Sequence, residues 1–107
     1  MERHGQVIGI DPDALDEYIA YHRNIWPGVA RKISECHIQN YSIYQVGDRL
    51  FAYFEYTGDD FEDDMKKMAD HEETRKWWEI MGPMQRPLAE RKDGEWWAEM
   101  KEVFHQE

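Results

Sequence analysis

The stretch IQNYSIYQVGDRLFAYFEYT, residues 38–57, decides the fold. Two runs rich in β-branched and aromatic residues are separated by Gly47-Asp48 alone. A two-residue link with glycine leading is the signature of a tight antiparallel hairpin. Strands are therefore expected over 38–46 and 49–57. Side chains alternate along a strand, so Tyr41, Ile43 and Gln45 share one face and Ser42, Tyr44 and Val46 the other. The second strand is apolar at nearly every position from Leu50 to Tyr56, which predicts burial on both of its faces.

Working outward from the hairpin, residues 5–10 read as a strand that stops at Asp11-Pro12. Aspartate is a good helix N-cap and proline suits the first turn, so a helix begins there. Leu15, Tyr18, Ile19 and His22 follow at i, i+3, i+4 and i+7, one face of that helix. Trp26 precedes Pro27, which breaks the helix, and a second piece runs through Val29 and Ile33 to near Cys36. On the other side, the acids at 59–64 favour a helix start carrying Phe61, Met65 and Met68, and read as solvated. Glu72 to Met81 forms one more helix, Pro83 and Pro87 open an irregular stretch, and Glu102-Val103-Phe104-His105 is the candidate closing strand. The order β, broken α, β, β, α, α, β predicts an α+β fold, a ferredoxin-like sandwich in one domain spanning 1–107.

Bulk properties exclude several functions. The chain has 23 acidic against 13 basic residues, a net charge of -10, which disfavours nucleic acid and anionic membrane surfaces as partners. No apolar run approaches the ~20 residues needed to span a bilayer, and the first residues lack a leader pattern, so a cytoplasmic location is expected. Cys36 is the single cysteine, which rules out an internal disulfide and points to a buried or inert thiol. The five histidines are scattered without metal-ligand spacing, and no glycine-rich phosphate cradle is present, so the residues point to neither a metal site nor a dinucleotide site. A chain of 107 residues buries roughly two-thirds of its unfolded surface, and 14% of it is aromatic. Rings in excess of a small core suit a pocket or an interface between two copies.

Chemistry concentrates in two places. Tyr18 and His22, four apart, project from one helix face and can act on one bound molecule. Histidine titrates near neutrality, which suits a general acid or base, although a Tyr–His pair on an apolar face also occurs as plain core. Trp77 and Trp78 are adjacent, so they diverge by about 100° around a helix. One is expected to be buried and the other to line a cleft or interface. The Trp96-Trp97 pair has no clear local structure by pattern.

The run Tyr18, His22, Ile25, Trp26, Pro27 resembles the Y-x-x-x-H-x-x-I-W-P signature of L-rhamnose mutarotases. Asn40 to Tyr44, Leu50-Phe51 to Glu55, Trp77-Trp78 and Glu102 to Phe104 continue the resemblance in order across nearly the whole chain. The resemblance implies a homodimeric ferredoxin-like α+β barrel, without metal or cofactor, that interconverts the anomers of a small neutral 6-deoxy-L-sugar. It implies His22 as proton donor and Tyr18, Tyr41, Trp77 and Trp78 as sugar-binding residues; we expect His22 to serve the ring oxygen, with either Tyr18 or a bound water on the hydroxyl side. After Trp78 the chain departs from the pattern, with Met81 to Leu88 and Gly94 to Trp97 as local features that bear on the pocket. L-Fucose is therefore an alternative substrate. A non-catalytic sugar-binding module and a cofactor-independent monooxygenase of the same fold are the rival functions.

Overall fold

The computed structural model describes all residues, 1–107. The hairpin falls where the sequence places it: β2 spans Ile38–Val46 and β3 Arg49–Tyr56. Gly47 turns the chain at φ 56°, a conformation that a side chain would strain. Strand β1, Glu2–Ile10, pairs antiparallel with β3 from Glu2↔Tyr56 to Gly9↔Arg49. It begins three residues before the sequence-based start at Gly5.

The far edge of β1 is completed by two short strands instead of one. Strand β4, Gln85–Arg86, pairs with Gly9 and Ile10, whereas β5, Ala98–Met100, pairs with Gly5, Gln6 and Val7. The sheet therefore runs β2-β3-β1, then β4 and β5 along the same edge, which is the ferredoxin-like strand order with its last strand interrupted. Residues 87–97 leave the edge and return to it. The closing strand thus lies at 98–100, not at 102–105. Ala98 buries opposite Val7, whereas Val103 and Phe104 are 88% and 77% exposed and have no sheet partner.

Asp11 accepts from the Asp13 N–H at 3.0 Å and caps a 3-10 turn, Pro12–Ala14, that leads into α1, Leu15–Arg23. Helix α2, Pro27–Glu35, starts at the expected proline. Helices α3, Phe61–Asp70, and α4, Glu72–Met81, meet at His71, whose ring caps α4 by accepting from the Thr74 N–H at 3.3 Å. No helix is long and apolar enough to cross a membrane.

The helices cover one face of the sheet. One core cluster joins Ile8, Ile10 and Leu50 of the sheet to Tyr18, Val29, Trp77 and Met81 of three helices. A second joins Ile38, Phe54 and Tyr56 to Cys36 and Met68. Burial along β3 alternates accordingly, with Leu50, Ala52, Phe54 and Tyr56 buried and Phe51, Tyr53 and Glu55 half-buried. The expectation that β3 buries both faces fails because this chain has no layer for the outer one.

The acidic run corrects a second expectation. Asp60 caps α3 and is exposed, but Asp64 is buried at 5% exposure, where it accepts from the Tyr56 hydroxyl and pairs with His37 at 3.1 Å. Those two hydrogen bonds hold its carboxyl below the usual carboxylate range. His4 is also structural: it stacks on Phe54 and Phe61 at centroid distances of 4.9 and 4.5 Å and meets Glu99 at 2.6 Å. Cys36 is buried, and burial raises its thiol.

Candidate active site: an aromatic cleft between sheet and helices

A cleft of about 1060 Å³ opens between the inner sheet face and helices α1, α2 and α4. Tyr18, His22, Tyr41, Trp77 and Trp78, all five residues singled out in the sequence, line it. Each arrives there for a local reason. The four-residue spacing in α1 stacks the Tyr18 and His22 rings at 4.3 Å. Tyr41 is aimed inward by a bulge in β2, where Asn40 adopts φ 51° and Asn40 and Tyr41 together face Phe54. The Asn40 amide donates to Glu55 at 2.6 Å, which holds the bulge, and the Tyr41 and Phe54 centroids lie 5.5 Å apart.

The tryptophans divide as the 100° offset requires. Trp77 is 5% exposed and meets Tyr21, His22 and Trp26 edge-on, whereas Trp78 is 45% exposed at the rim. A buried ring and an open ring thus line one cleft.

The protonation states follow from the hydrogen bonds. The Nδ1 of His22 lies 2.8 Å from the Tyr18 carbonyl. A carbonyl only accepts, so Nδ1 carries a proton and donates it there. Desolvation lowers the His22 pKa, and this carbonyl bond opposes it only in part. At neutral pH the ring is therefore uncharged, with the lone pair on Nε2 unused by the protein. Burial lifts the Tyr18 hydroxyl well above the usual tyrosine range, so it keeps its proton. Tyr41 is 41% exposed over the whole residue, yet its hydroxyl is desolvated and pushed up to about 12. The cleft thus holds the neutral His22 base and the neutral phenols of Tyr18 and Tyr41, and no carboxylate lines it. No three His, Cys, Asp or Glu side chains converge as a metal ion requires.

The L-rhamnose mutarotase family model matches residues 3–106. The chain belongs to the L-rhamnose mutarotase family. Its relatives include the L-rhamnose mutarotase of Oceanobacillus iheyensis, 32% identical over 107 residues that cover 98% of each chain. The Bacillus subtilis L-rhamnose mutarotase is 31% identical over 113 residues, again covering 98% of each. Among solved structures, an L-rhamnose mutarotase from Formosa agariphila matches along 100% of both chains with a TM-score of 0.79 and 22% identity. The tetracenomycin F2 cyclase of Streptomyces glaucescens, a type-II polyketide cyclase, matches with a TM-score of 0.71 at 14% identity, covering 100% of this chain and 98% of that one. At these identities the structures speak for the fold alone, which a mutarotase and a cyclase share.

Gln6, not singled out in the sequence, also lines the cleft, and so do Gln85, Trp96 and Trp97, which come from the two segments, 81–88 and 94–97, where the sequence departs from the family pattern. Gln85 is 7% exposed and bonded to both Tyr18 and Trp96. A glutamine between two prolines carries no spacing signal, and the Trp96-Trp97 pair can be placed only once the 87–97 excursion is known.

Proposed function

We propose that the chain interconverts the α and β anomers of a 6-deoxy-L-hexopyranose, with L-rhamnose first and L-fucose as the alternative substrate. The observation that carries this reading is the state of His22, a neutral imidazole whose one proton is committed to a backbone carbonyl and whose Nε2 is free beside the cleft. Nε2 takes the proton from the anomeric hydroxyl as the bond from C1 to the ring oxygen breaks. The resulting imidazolium gives a proton to the ring oxygen, which sits on the same carbon. His22 therefore acts as base and then as the ring-oxygen acid, and the products are the open aldehyde and the neutral enzyme. Rotation about C1–C2 and the reverse steps close the ring on the other carbonyl face. Acid–base chemistry and positioning suffice, since no group is transferred to the enzyme and nothing is oxidised.

Tyr18 keeps its proton and so cannot share the work of the base; it binds through its hydroxyl. Tyr41 supplies a second neutral hydroxyl, and the indoles of Trp77 and Trp78 take the apolar faces of the sugar. A neutral substrate suits a cleft without charged carboxylates in a chain of net charge -10. The test is saturation transfer between the anomeric protons of L-rhamnose, and separately of L-fucose. Protein-dependent exchange is expected, with the faster sugar naming the substrate. Saturable binding without any exchange would replace the enzyme by a sugar-binding module.

A homodimer belongs to the same proposal. The outer sheet face carries Tyr44 and Val46, 68% and 65% exposed, beside the half-buried Phe51 and Tyr53 of β3. An open antiparallel face with this apolar content is stabilised by covering it with a second copy. Sedimentation is expected to give a dimer in which Val46→Lys shifts the balance toward monomer; a wild-type monomer at micromolar concentration would refute it. We place the protein in the cytoplasm, where its one buried thiol stays reduced.

A further inference from the structure

We propose that Gln85 and Trp96 are positioning residues that fix the direction of the hydrogen bond at Tyr18 and so make Tyr18 a donor to the sugar. The inference rests on the proposed reading of the cleft and adds to it the direction of a proton. An indole N–H donates and never accepts. The 2.7 Å contact from Trp96 Nε1 to Gln85 therefore fixes the amide oxygen of Gln85 on the Trp96 side. Its NH2 group must then face Tyr18, whose hydroxyl oxygen lies 3.4 Å from Nε2. That bond is long, but its direction does not depend on its strength, because an amide NH2 cannot accept the tyrosine proton. Tyr18 accepts from Gln85, and its own proton is left to point into the cleft.

Gln85 is placed to hold this arrangement. It sits on β4 opposite Ile10, and the Met84 carbonyl before it accepts from the Asp11 N–H at 2.9 Å. Arg86 after it binds the Asp11 carboxylate at 2.9 Å. A buried amide anchored on both sides satisfies its polar atoms only with what lies in reach, here Trp96 and Tyr18. Trp96 comes from the 87–97 excursion and is 48% exposed, with the Arg91 guanidinium 6.0 Å from its ring centre. Both residues lie in the segments where the sequence departs from the family pattern. The device therefore belongs to this chain's own cleft, and the Trp96 ring adds a wall that shapes which sugar fits.

Gln85→Glu and Gln85→Leu separate direction from packing. Glutamate has the shape of glutamine, but its carboxylate accepts from both neighbours and turns the Tyr18 proton away from the sugar. Leucine loses both hydrogen bonds and leaves that proton free. Anomer exchange of L-rhamnose is expected to fall roughly tenfold or more in the Glu variant, less than the ~10²–10³ of a fully aligned oxyanion donor, and only a few-fold in the Leu variant. Acidification should raise the Glu variant's rate relative to wild type, because a protonated carboxyl again accepts from Trp96 and donates to Tyr18. Trp96→Phe keeps an aromatic ring, though a smaller one, and removes the N–H, so kcat should drop with KM nearly unchanged. Thermal melts identify any variant that fails to fold, and Trp96→Phe tests the proposal if both Gln85 variants do. A Glu variant that matches or exceeds the Leu variant at neutral pH, or an unaltered Trp96→Phe, would overturn the assignment. A wild-type protein that binds L-rhamnose without exchanging it would sink the enzymatic reading only. The same order, Leu binding more tightly than Glu, would then be read from Kd, and the reverse order would end this proposal too.

Discussion

Replacing His22 with alanine is expected to lower the anomer-exchange rate by on the order of a hundredfold or more while leaving a folded protein. General acid–base groups contribute about 10²–10⁴ in rate, and in the proposed mechanism one imidazole performs both transfers. A hundredfold corresponds to about 2.7 kcal/mol of barrier. The fold loses less. The Nδ1 bond to the Tyr18 carbonyl is worth about 1 kcal/mol net, and that carbonyl already lies within a helix. The same histidine dictates the wild-type pH profile. Burial disfavours its charged form, so its pKa in the folded chain lies below the ordinary 6.5. The free lone pair is needed, so exchange should be full and flat through neutrality and fall only as pH drops through that lowered value. The conformational contribution has the same sign, since a group whose folded pKa is depressed loses stability as pH falls. A folded His22→Ala protein that keeps a near-normal rate would remove His22 from the chemistry. An acid limb lying above pH 6.5 would contradict the desolvated, neutral imidazole.

What the sequence showed and what it hid have physical reasons. The β2–β3 hairpin was legible because Gly47 is needed for a left-handed turn and the flanking residues have the period of strands. Helix α1 was legible from Asp11-Pro12, and the Tyr18–His22 pair from the helix period alone. Adjacent tryptophans cannot share a face, so the split between Trp77 and Trp78 followed from geometry. The last sheet edge was hidden because it is built from two residues at 85–86 and three at 98–100, too few to show any period. Pairing with β1 creates those strands, and no local preference announces them. The Gln85 contact joins residues 67 positions apart, which no local pattern encodes. Asp64 was misread for the opposite reason. Its neighbours are acids at a helix start, and only the fold brings Tyr56 and His37 to it. The outer face of β3 is only half-covered although the strand has the composition of a doubly buried one, because nothing within this chain packs over that face.

The two tryptophans of α4 are expected to fail in different ways. Trp77→Ala should cost about 3–5 kcal/mol, because the ring is 5% exposed and its removal leaves a cavity among Tyr21, His22 and Trp26. A domain of this size is stable by only ~5–15 kcal/mol. The variant should therefore melt on the order of 15 °C or more below wild type, with a lower urea midpoint. Its exchange rate should fall as well, since His22 leans on the lost ring at 5.3 Å. Trp78→Ala removes a ring that is 45% exposed, and stability should change by roughly 0.5 kcal/mol or less. If Trp78 stacks on the sugar, the loss appears instead as a KM raised several-fold at a nearly constant melting temperature. Urea denaturation beside saturation-transfer kinetics on both variants reads the two effects separately. A Trp77→Ala protein within about 1 kcal/mol of wild type would mean that the cleft collapses around the gap at little cost, contrary to close-packed burial. An unchanged KM in Trp78→Ala would leave that ring outside sugar binding and assign its exposed face to the surface of the protein. In the expected outcome, two neighbours on one helix turn, both lining one cleft, differ because burial makes the first a structural support for the His22 imidazole and exposure leaves the second free to meet a ligand.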